Sequence, residues 1–327
     1  MSKRDGRILC AIALVALAAS VRAQDAATRP APPPGAWTTE DGWFAPREPA
    51  RPFPDLPDEI TRAFVIPIHG PISETTYEAT RRKVIECRSK GAQLVIFDMD
   101  TPGGRGDSMR KIVDMLLEDL EDIYRVAYVN PEAYSAGAII SLACHEIVMS
   151  DRAVIGDAMP ILIGPQGNLT PIPTEERAKI ESPIPAEVRA LAEENGYSQA
   201  LCEGMVTVKI EVWLIRHRQT RELRTVNADK GNWRGTVHNA PDQEDAPPSE
   251  SPWEFVALVD PDDKLVTMNT GEAVRYGFAR YVFDNRAELQ QHYGIVTSAT
   301  VLTDTWSEKM VGWLTSPGVT GVLIGML

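Results

Sequence analysis

This chain has few cysteines and no excess of positive charge, and each of these features excludes a class of site. The 327 residues include four cysteines, of which Cys87, Cys144 and Cys202 lie beyond residue 23 without metal-ligand spacing. We expect these three to be small buried residues rather than disulfide partners or metal ligands. The formal net charge is -13, and no Lys/Arg cluster with interleaved aromatic residues is present. A nucleic-acid partner is therefore excluded, because that task needs a basic face.

Long apolar runs are also missing, except at the two ends. Residues 1–23 combine basic residues with the short apolar run Ile8–Ala19, which is typical of a cleavable export signal. A retained membrane anchor is the competing interpretation, although this run is too short to span comfortably. Residues 293–327 are predicted to be a linker and a membrane-associated segment, because Val311–Leu327 carries no charge and reaches the low end of a membrane span. That run stops without flanking positive charges, which suggests a truncated membrane region.

Strands and helices alternate between the two ends. The proline-rich residues 24–58 predict an extended linker that carries no chemistry. Apolar runs separated by amphipathic helical patterns then predict an α/β layer over residues 59–292, with right-handed crossovers. Within it, residues 206–255 change to strand-like alternation and an acidic, proline-containing loop. This stretch predicts an inserted β-ribbon.

Two strand-to-helix turns lie one repeat apart in the predicted sheet. The first, Thr101–Gly104, follows a buried strand, and the second carries Ser135 between a strand and a helix. In a parallel sheet both turns fall on the same edge, because each crossover returns the chain to its starting side. The glycines let backbone N–H groups approach a ligand, and the helix dipole beyond Ser135 favours developing negative charge. The pair is typical of an oxyanion site facing a nucleophile, and two ordinary turns are the alternative.

Several short motifs occur in a characteristic order along residues 62–285, interrupted by the ribbon. They are Ile68-His69-Gly70-Pro71-Ile72, Asp100-Thr101-Pro102-Gly103-Gly104, Tyr134-Ser135-Ala136-Gly137, Ile155-Gly156-Asp157-Ala158, Lys179-Ile180, Arg189-Ala190-Leu191-Ala192-Glu193 and Leu265 to Gly277. In this order they resemble the membrane-bound NfeD group of serine proteases of the Clp and crotonase fold, close to signal peptide peptidase A. The resemblance implies a Clp/crotonase-like spiral of repeated strand-strand-helix units.

The resemblance also implies a Ser-Lys dyad, and the matching positions are Ser135 and Lys179. Lysine serves as a base only where burial holds it neutral. Backbone N–H groups of Gly104 and Ala136 correspond to the oxyanion hole, and the dyad requires no metal or organic cofactor. Self-assembly into a homo-oligomer and a stomatin-like membrane partner are further implications of the resemblance.

Three further residues, Gly70, Gly103 and His69, are predicted on the substrate side of the cleft. His69 follows the first strand and is the next candidate base if the site uses a Ser-His-Asp arrangement instead. His145 is predicted to be structural, because it begins a strand at the far end of the helix that follows Ser135.

Together these features predict an exported serine endopeptidase on the extracytoplasmic, periplasmic side of the cell membrane. Its substrate would be a hydrophobic or membrane-proximal peptide that lies as a strand between the two turns. A non-catalytic, protease-like scaffold that binds or assembles a membrane partner is the alternative. Asp157 favours the scaffold, since the family has a small residue there and a carboxylate beside Lys179 favours the charged lysine. A crotonase-type acyl-CoA enzyme is disfavoured because export removes the chain from that substrate.

Overall fold

The computed structural model describes residues 31–159, 183–208, 210–229, 237–238, 252–314 and 319. Lys179, the predicted export signal and the acidic stretch 242–251 lie outside these ranges. The strands, in chain order, are β1 (Trp37–Thr38), β2 (Trp43–Phe44), β3 (Ala63–His69), β4 (Leu94–Thr101), β5 (Tyr124–Tyr134), β6 (Glu146–Met149), β7 (Val154–Gly156), β8 (Ile210–His217), β9 (Glu222–Asp229), β10 (Val237–His238), β11 (Trp253–Asp260), β12 (Thr267–Asn269) and β13 (Thr300–Val301). The helices are α1 (Glu74–Ser89), α2 (Gly106–Asp119), α3 (Ala136–Leu142), α4 (Pro183–Asn195), α5 (Gln199–Gly204), α6 (Thr270–Arg275), α7 (Arg286–His292) and α8 (Trp306–Leu314).

The larger sheet forms the predicted α/β core. Its strand order is β12-β7-β5-β4-β3-β13, with β6 also paired to β5. Every pairing is parallel except that of β12 with β7. On the side away from β4, β5 has two partners, because its residues 126–129 pair with β6 and its residues 132–134 pair with β7. The carboxyl ends of β3, β4 and β5 therefore meet at one edge, as the sequence predicts.

Local sequence explains where the first helix begins and ends. The Ser73 side chain accepts from the Thr76 backbone N–H, and the Thr76 hydroxyl accepts from the Ser73 backbone N–H. Such a capping box contributes about 1 kcal/mol to stability. Gly91, with a φ of 63°, follows the last turn. The capping box and the glycine therefore mark where α1 begins and ends.

The two faces of the larger sheet carry separate cores. On one face, the α2 residues Met109, Ile112 and Leu116 recur at helical spacing and are buried, which confirms the predicted amphipathic helix. On the opposite face, Tyr128 packs with Leu289 of α7. The sheet is therefore covered on both sides, as parallel sheets generally are.

A smaller sheet joins the predicted ribbon to the N-terminal segment. β8 and β9 form the expected antiparallel pair, and β11 adds to β8. β2 pairs with β9 in parallel, and β1 pairs with β2. The structure therefore differs from the predicted linker at residues 37–44. The reason is aromatic packing: the rings of Trp37 and Phe44 lie 6.0 Å apart, while the prolines of this segment lie outside its strands.

The chain returns to the core before the C-terminal apolar run. β13 pairs with β3, and Arg82 of α1 forms an ion pair with Glu308 of α8 at 2.8 Å. α8 itself buries none of its described side chains, and Trp306 is 76% exposed. Across the described ranges, no helix combines the length and apolar character needed to cross a membrane. Membrane association through residues 311–327 stays a prediction.

Candidate active site

Ser135 lies at the junction between β5 and α3, where the backbone reverses direction. Its φ is 53° and its ψ is -120°, a positive-φ conformation that non-glycine residues rarely adopt and that costs about 1–3 kcal/mol. The Ser135 N–H donates to the Gly156 carbonyl of β7 at 3.0 Å, and the Ser135 carbonyl accepts from the Ala138 N–H at 3.0 Å. The side chain does not cap α3, and no described residue bonds its hydroxyl. The reversal therefore leaves the hydroxyl available at the edge of the sheet.

The glycine turn after β4 presses its backbone against Ser135. Gly103 has a φ of 94°, and a Cβ at this position would lie 2.4 Å from the Ser135 Cβ and 3.1 Å from its Oγ. The Gly103 N–H donates to the Thr101 hydroxyl at 3.1 Å. Gly137 imposes the same restriction from the other turn, because a Cβ there would lie 2.4 Å from the Thr101 Cγ2. The two turns that the sequence assigns to one edge are thus in direct contact.

Gly104 continues the turn and lies against Ile72. The Ile72 N–H donates to the Gly103 carbonyl at 2.8 Å, and the Arg105 N–H donates to the Ile72 carbonyl at 2.9 Å. Because N–H groups alternate in direction along an extended chain, the Gly104 N–H points away from Ile72. The first N–H of α3, that of Ala136, has no intrahelical acceptor either. Neither N–H has a partner among the described residues, which leaves both available for the predicted oxyanion role.

Asp157 follows Gly156, the last residue of β7, whose carbonyl accepts from the Ser135 N–H. Its φ is 49°, its N–H donates to the Val266 carbonyl at 3.1 Å, and its side chain is exposed. The carboxylate flanks the serine turn on the solvent side. Lys179, the predicted base, lies outside the described residues, so the pairing of Ser135 with Lys179 stays a prediction.

His69 belongs to a separate polar cluster at the same edge. Its Nε2 lies 2.9 Å from the Oδ2 of Asp98, and Arg286 of α7 bonds the same oxygen. Asp98 is 2% exposed, and its Oδ1 has no hydrogen-bond partner in the described chain. The hydrogen bond that His69 donates to the Asp98 carboxylate raises the pKa of His69 against the opposing effect of burial. β4 lies between β3 and β5. His69, at the end of β3, is therefore two strand spacings, about 10 Å, from β5, the strand that leads into Ser135.

The three predicted substrate-side residues are therefore not equivalent. Gly103 touches Ser135, whereas the Gly70 N–H donates to the Asp100 carbonyl at 2.8 Å and a Cβ on Gly70 would meet nothing within 4 Å. No described contact joins Gly70 or His69 to Ser135, so their substrate-side roles stay predictions. Because β4 separates His69 from the serine strand, a role for His69 as the serine's base is disfavoured.

His145 lies apart from the candidate site. Its Nδ1 accepts from the Arg125 backbone N–H at 3.1 Å, and burial lowers its pKa to about 3. A histidine held neutral inside the protein agrees with the structural role predicted from the sequence.

We expect Asp98 to hold His69 in its charged form above the pH at which a free histidine titrates. The folded pKa is raised above an unfolded value of about 6.5. The His69–Asp98 pair therefore contributes its full stabilisation below about pH 6.5, the unfolded pKa of histidine. This contribution is lost as the pH rises through the folded pKa of His69. Proton NMR titration of His69 should show a lower pKa in Asp98→Asn than in the wild type. Asp100→Asn removes a more distant charge and should lower it less; equal effects would contradict the assignment.

Sequence reasoning missed Asp98 as the partner of His69, and Arg286 as the second partner of Asp98. Period-two alternation offers a signal for Asp98, because Pro67 pairs with Asp98 and His69 pairs with Asp100 across β3 and β4. His69 and Asp98 therefore lie on one face of neighbouring strands. Arg286 is 188 residues from Asp98 in the chain, and no local pattern indicates that it returns to this edge.

Comparison with known proteins supports the family assignment and the fold. A family model described as NfeD1b, N-terminal domain matches residues 62–240. Membrane-bound protease PH1510 of Pyrococcus horikoshii is 32% identical over 148 residues, which are 44% of this chain and 32% of that protein. Membrane protein NfeD1b of Bacillus subtilis is 23% identical over 267 residues, which are 81% of this chain and 49% of that protein. The chain thus spans less than half the length of these curated relatives.

Solved structures share the architecture. The 1510-N membrane-bound stomatin-specific protease, as a lysine-to-alanine variant in complex with a substrate peptide, gives a TM-score of 0.53 at 21% identity, covering 78% of this chain and 98% of that one. A serine-to-alanine variant of that protease gives a TM-score of 0.50 at 22% identity, covering 75% of this chain and 99% of that one. This likeness confirms the predicted Clp-like α/β fold. Because the family model covers more than half of the sequence, the chain belongs to the NfeD1b N-terminal domain family.

Proposed function

We propose that this protein is a membrane-associated serine endopeptidase with Ser135 as its nucleophile. The observation that carries the proposal is the contact of Gly103 with Ser135. This contact places the Ser135 hydroxyl, which no described residue bonds, beside the turn that carries the Gly104 N–H. This combination suits acyl transfer, because attack on a carbonyl develops a negative oxygen that needs hydrogen-bond donors already in place. A relative described as a membrane-bound protease supports the same chemistry.

The proposed reaction has two stages. The Ser135 Oγ attacks the carbonyl carbon of the scissile peptide bond, and its proton passes to the neutral amine of Lys179, while the N–H groups of Gly104 and Ala136 donate to the oxyanion. Lys179 then gives the proton to the leaving amine, so that the C–N bond breaks and an acyl ester remains on Ser135. Water, deprotonated by Lys179, hydrolyses that ester and restores the serine.

Lys179 is proposed as the base from the family resemblance and from the course of the flanking chain. On one side, Ala158 follows β7, which pairs with the end of β5. On the other side, α4 contacts the serine helix, because the Asn195 amide donates to the Leu142 carbonyl of α3 at 2.8 Å. An active dyad also requires that Asp157 stay in solvent, where water screens it from the lysine.

The proposed substrate is a hydrophobic or membrane-proximal segment bound as an extended strand. Gly104 pairs with Ile72 on one side and has free backbone on the other, so a peptide can add there by strand pairing. Gly70 and His69 would border this strand at the end of β3. The solved relative is described as stomatin-specific and holds a substrate peptide, so a stomatin-like membrane protein is the proposed partner. Homo-oligomer formation is proposed on the same family basis.

We further propose that the protein is exported and held at the extracytoplasmic face of the membrane by its C-terminal end. α8 exposes Trp306 just before the uncharged run that begins at Val311. The curated relatives are described as membrane proteins. Deleting residues 311–327 should move the protein from the membrane fraction to the soluble fraction, because the apolar run supplies the attachment. Unchanged fractionation after the deletion would assign the run to packed protein instead.

Labelling with a serine-reactive phosphonate tests the proposed function. Mass spectrometry should find a covalent adduct on the peptide that contains Ser135 in the wild type and in Ser141→Ala, but not in Ser135→Ala. Ser141 is the matched control, because it lies on the same helix and its hydroxyl donates to the Gly137 carbonyl at 2.8 Å. A folded protein that acquires no adduct would favour the non-catalytic scaffold.

A further inference from the structure

A cavity of about 770 Å³ lies between α2 and α4, within the size range of ligand sites; we call it the α2–α4 groove. Ile139 of α3 lines it, and the Ile139 N–H donates to the Ser135 carbonyl at 3.3 Å. Residues 51–54 border it as well. Neither Ser135 nor Gly103 lines the groove, so it is distinct from the proposed active site.

The groove has an elongated apolar wall. Met109, Val113 and Leu117 line it from α2 and recur every fourth residue, so they form a row along the helix. Ala190 and Leu191 line it from α4. The α2 row is about 12 Å long, which matches about two turns of a bound helix. This shape suits a peptide segment better than a compact ligand.

Two polar groups at the groove have no partner among the described residues, and one of them is buried. Asn195 is 1% exposed; its amide donates to the Leu142 carbonyl at 2.8 Å, and its Oδ1 has no partner among the described residues. The His145 Nδ1 accepts from the Arg125 N–H, so the neutral ring carries its proton on Nε2, which no described residue bonds. A buried acceptor without a partner, together with an imidazole N–H that no described residue bonds, indicates a surface able to meet another polar group.

The rim of the groove carries unbalanced negative charge. Glu187 is paired with Arg110 at 3.0 Å, and Glu194 is paired with Arg51 at 3.8 Å. Three further carboxylates on the α2 side are exposed and form no ion pair with any described residue, namely Asp114, Glu118 and Glu121. A bound segment with apolar side chains would pack against the wall of the groove, and its basic side chains would pair with the carboxylates of the rim.

We propose that the α2–α4 groove binds a basic amphipathic peptide segment of a partner protein. Charge decides between this occupant and two others. A second copy of the chain, with a net charge of -13, lacks the excess of positive charge that would complement this acidic rim. An anionic lipid surface is repelled by the rim. The proposal does not depend on protease activity, because the groove lies apart from Ser135.

Fluorescence anisotropy with a labelled 12-residue Leu/Lys peptide, apolar at helical spacing, tests the proposal on the full chain. Saturable binding is expected, together with about tenfold weaker binding to the triple variant Asp114→Asn, Glu118→Gln, Glu121→Gln at low salt. The matched control neutralises three exposed carboxylates outside the groove, through Glu59→Gln, Asp151→Asn and Asp263→Asn. The control triple should bind within about twofold of the wild type.

A second pair of variants tests the apolar wall. Leu117→Gln should weaken binding about tenfold, because the leucine loses its apolar contact with the peptide. Ile85→Gln, a matched change at a residue that is 53% exposed on α1, should leave binding unchanged. Circular dichroism would establish that both variants fold.

Four results would overturn the proposal. They are the absence of saturable binding up to about 1 mM peptide, equal binding of a peptide with Glu in place of Lys, equal weakening by the two triple variants, and concentration-dependent self-association that Leu117→Gln alone abolishes. The last result would assign the groove to an interface between copies. None of these measurements involves peptide cleavage, so the failure of the proposed function and the failure of this inference are distinguishable.

Discussion

Replacing Ser135 with alanine should abolish peptide cleavage while leaving the protein folded. The change removes the proposed nucleophile, and loss of a serine nucleophile lowers kcat by at least about 10³-fold in enzymes of this type. Stability should change by less than about 0.5 kcal/mol, because the Ser135 side chain does not cap α3. Cleavage of a hydrophobic, membrane-proximal peptide from a stomatin-like protein, followed by mass spectrometry, measures the first effect. Thermal unfolding measures the second.

Lys179→Ala provides the companion test of the base. A comparable loss of cleavage is expected, since a serine without its base is a poor nucleophile and the two residues act as a unit. Near-normal cleavage by Lys179→Ala, with none by Ser135→Ala, would place the base elsewhere in the chain. Cleavage that survives both changes would point to a contaminating protease and leave the scaffold alternative standing.

Gly103→Ala should lower kcat at least about 100-fold, the range expected when one oxyanion donor is lost. The new Cβ would lie 2.4 Å from the Ser135 Cβ at a φ of 94°, so the turn that carries the Gly104 N–H must move away from the serine. Steady-state kinetics should show a larger change in kcat than in KM, because the donor acts mainly on the transition state. The displaced turn should also lower the free energy of unfolding by about 1–3 kcal/mol.

Gly106→Ala is the matched control for this change. Gly106 is the first residue of α2, and a Cβ there would meet nothing within 4 Å. Alanine should therefore keep wild-type activity and stabilise the helix by up to about 1 kcal/mol. If Gly103→Ala and Gly106→Ala gave the same kcat, the Gly103 turn would have no part in catalysis.

Local signals made much of the fold predictable. The apolar runs of β3 and β4, the Ser73 cap and the glycine turn each depend on residues close together in sequence, and the parallel arrangement then brings the turn to Ser135. The conformation of Ser135 was not predictable, because a serine at a helix start usually caps the helix, whereas this one has a positive φ and forms no cap.

Long-range pairings were also beyond sequence reasoning. Arg286 meets Asp98 across 188 residues, and β2 meets β9 through Trp43–Glu222 and Phe44–Leu223. Such contacts form because tertiary packing joins distant segments, and no periodic pattern in either segment encodes the partner. The position of Lys179 depends on the chain between β7 and α4, for which the sequence offers turn residues but no strong periodicity.

The pairing of β2 with β9 has a consequence for the biogenesis of the protein. The Trp43 indole donates to the Thr220 carbonyl at 2.8 Å across 177 residues. At ordinary rates of synthesis, the ribosome needs about 10–35 s to add that length of chain. During this interval Trp43 and Phe44 can pair only with the two-residue strand β1, and exposed aromatic residues of this kind are targets for chaperones and for aggregation. Completion of the smaller sheet is therefore a late event in the life of the nascent chain, although one of its strands is among the first segments to be made.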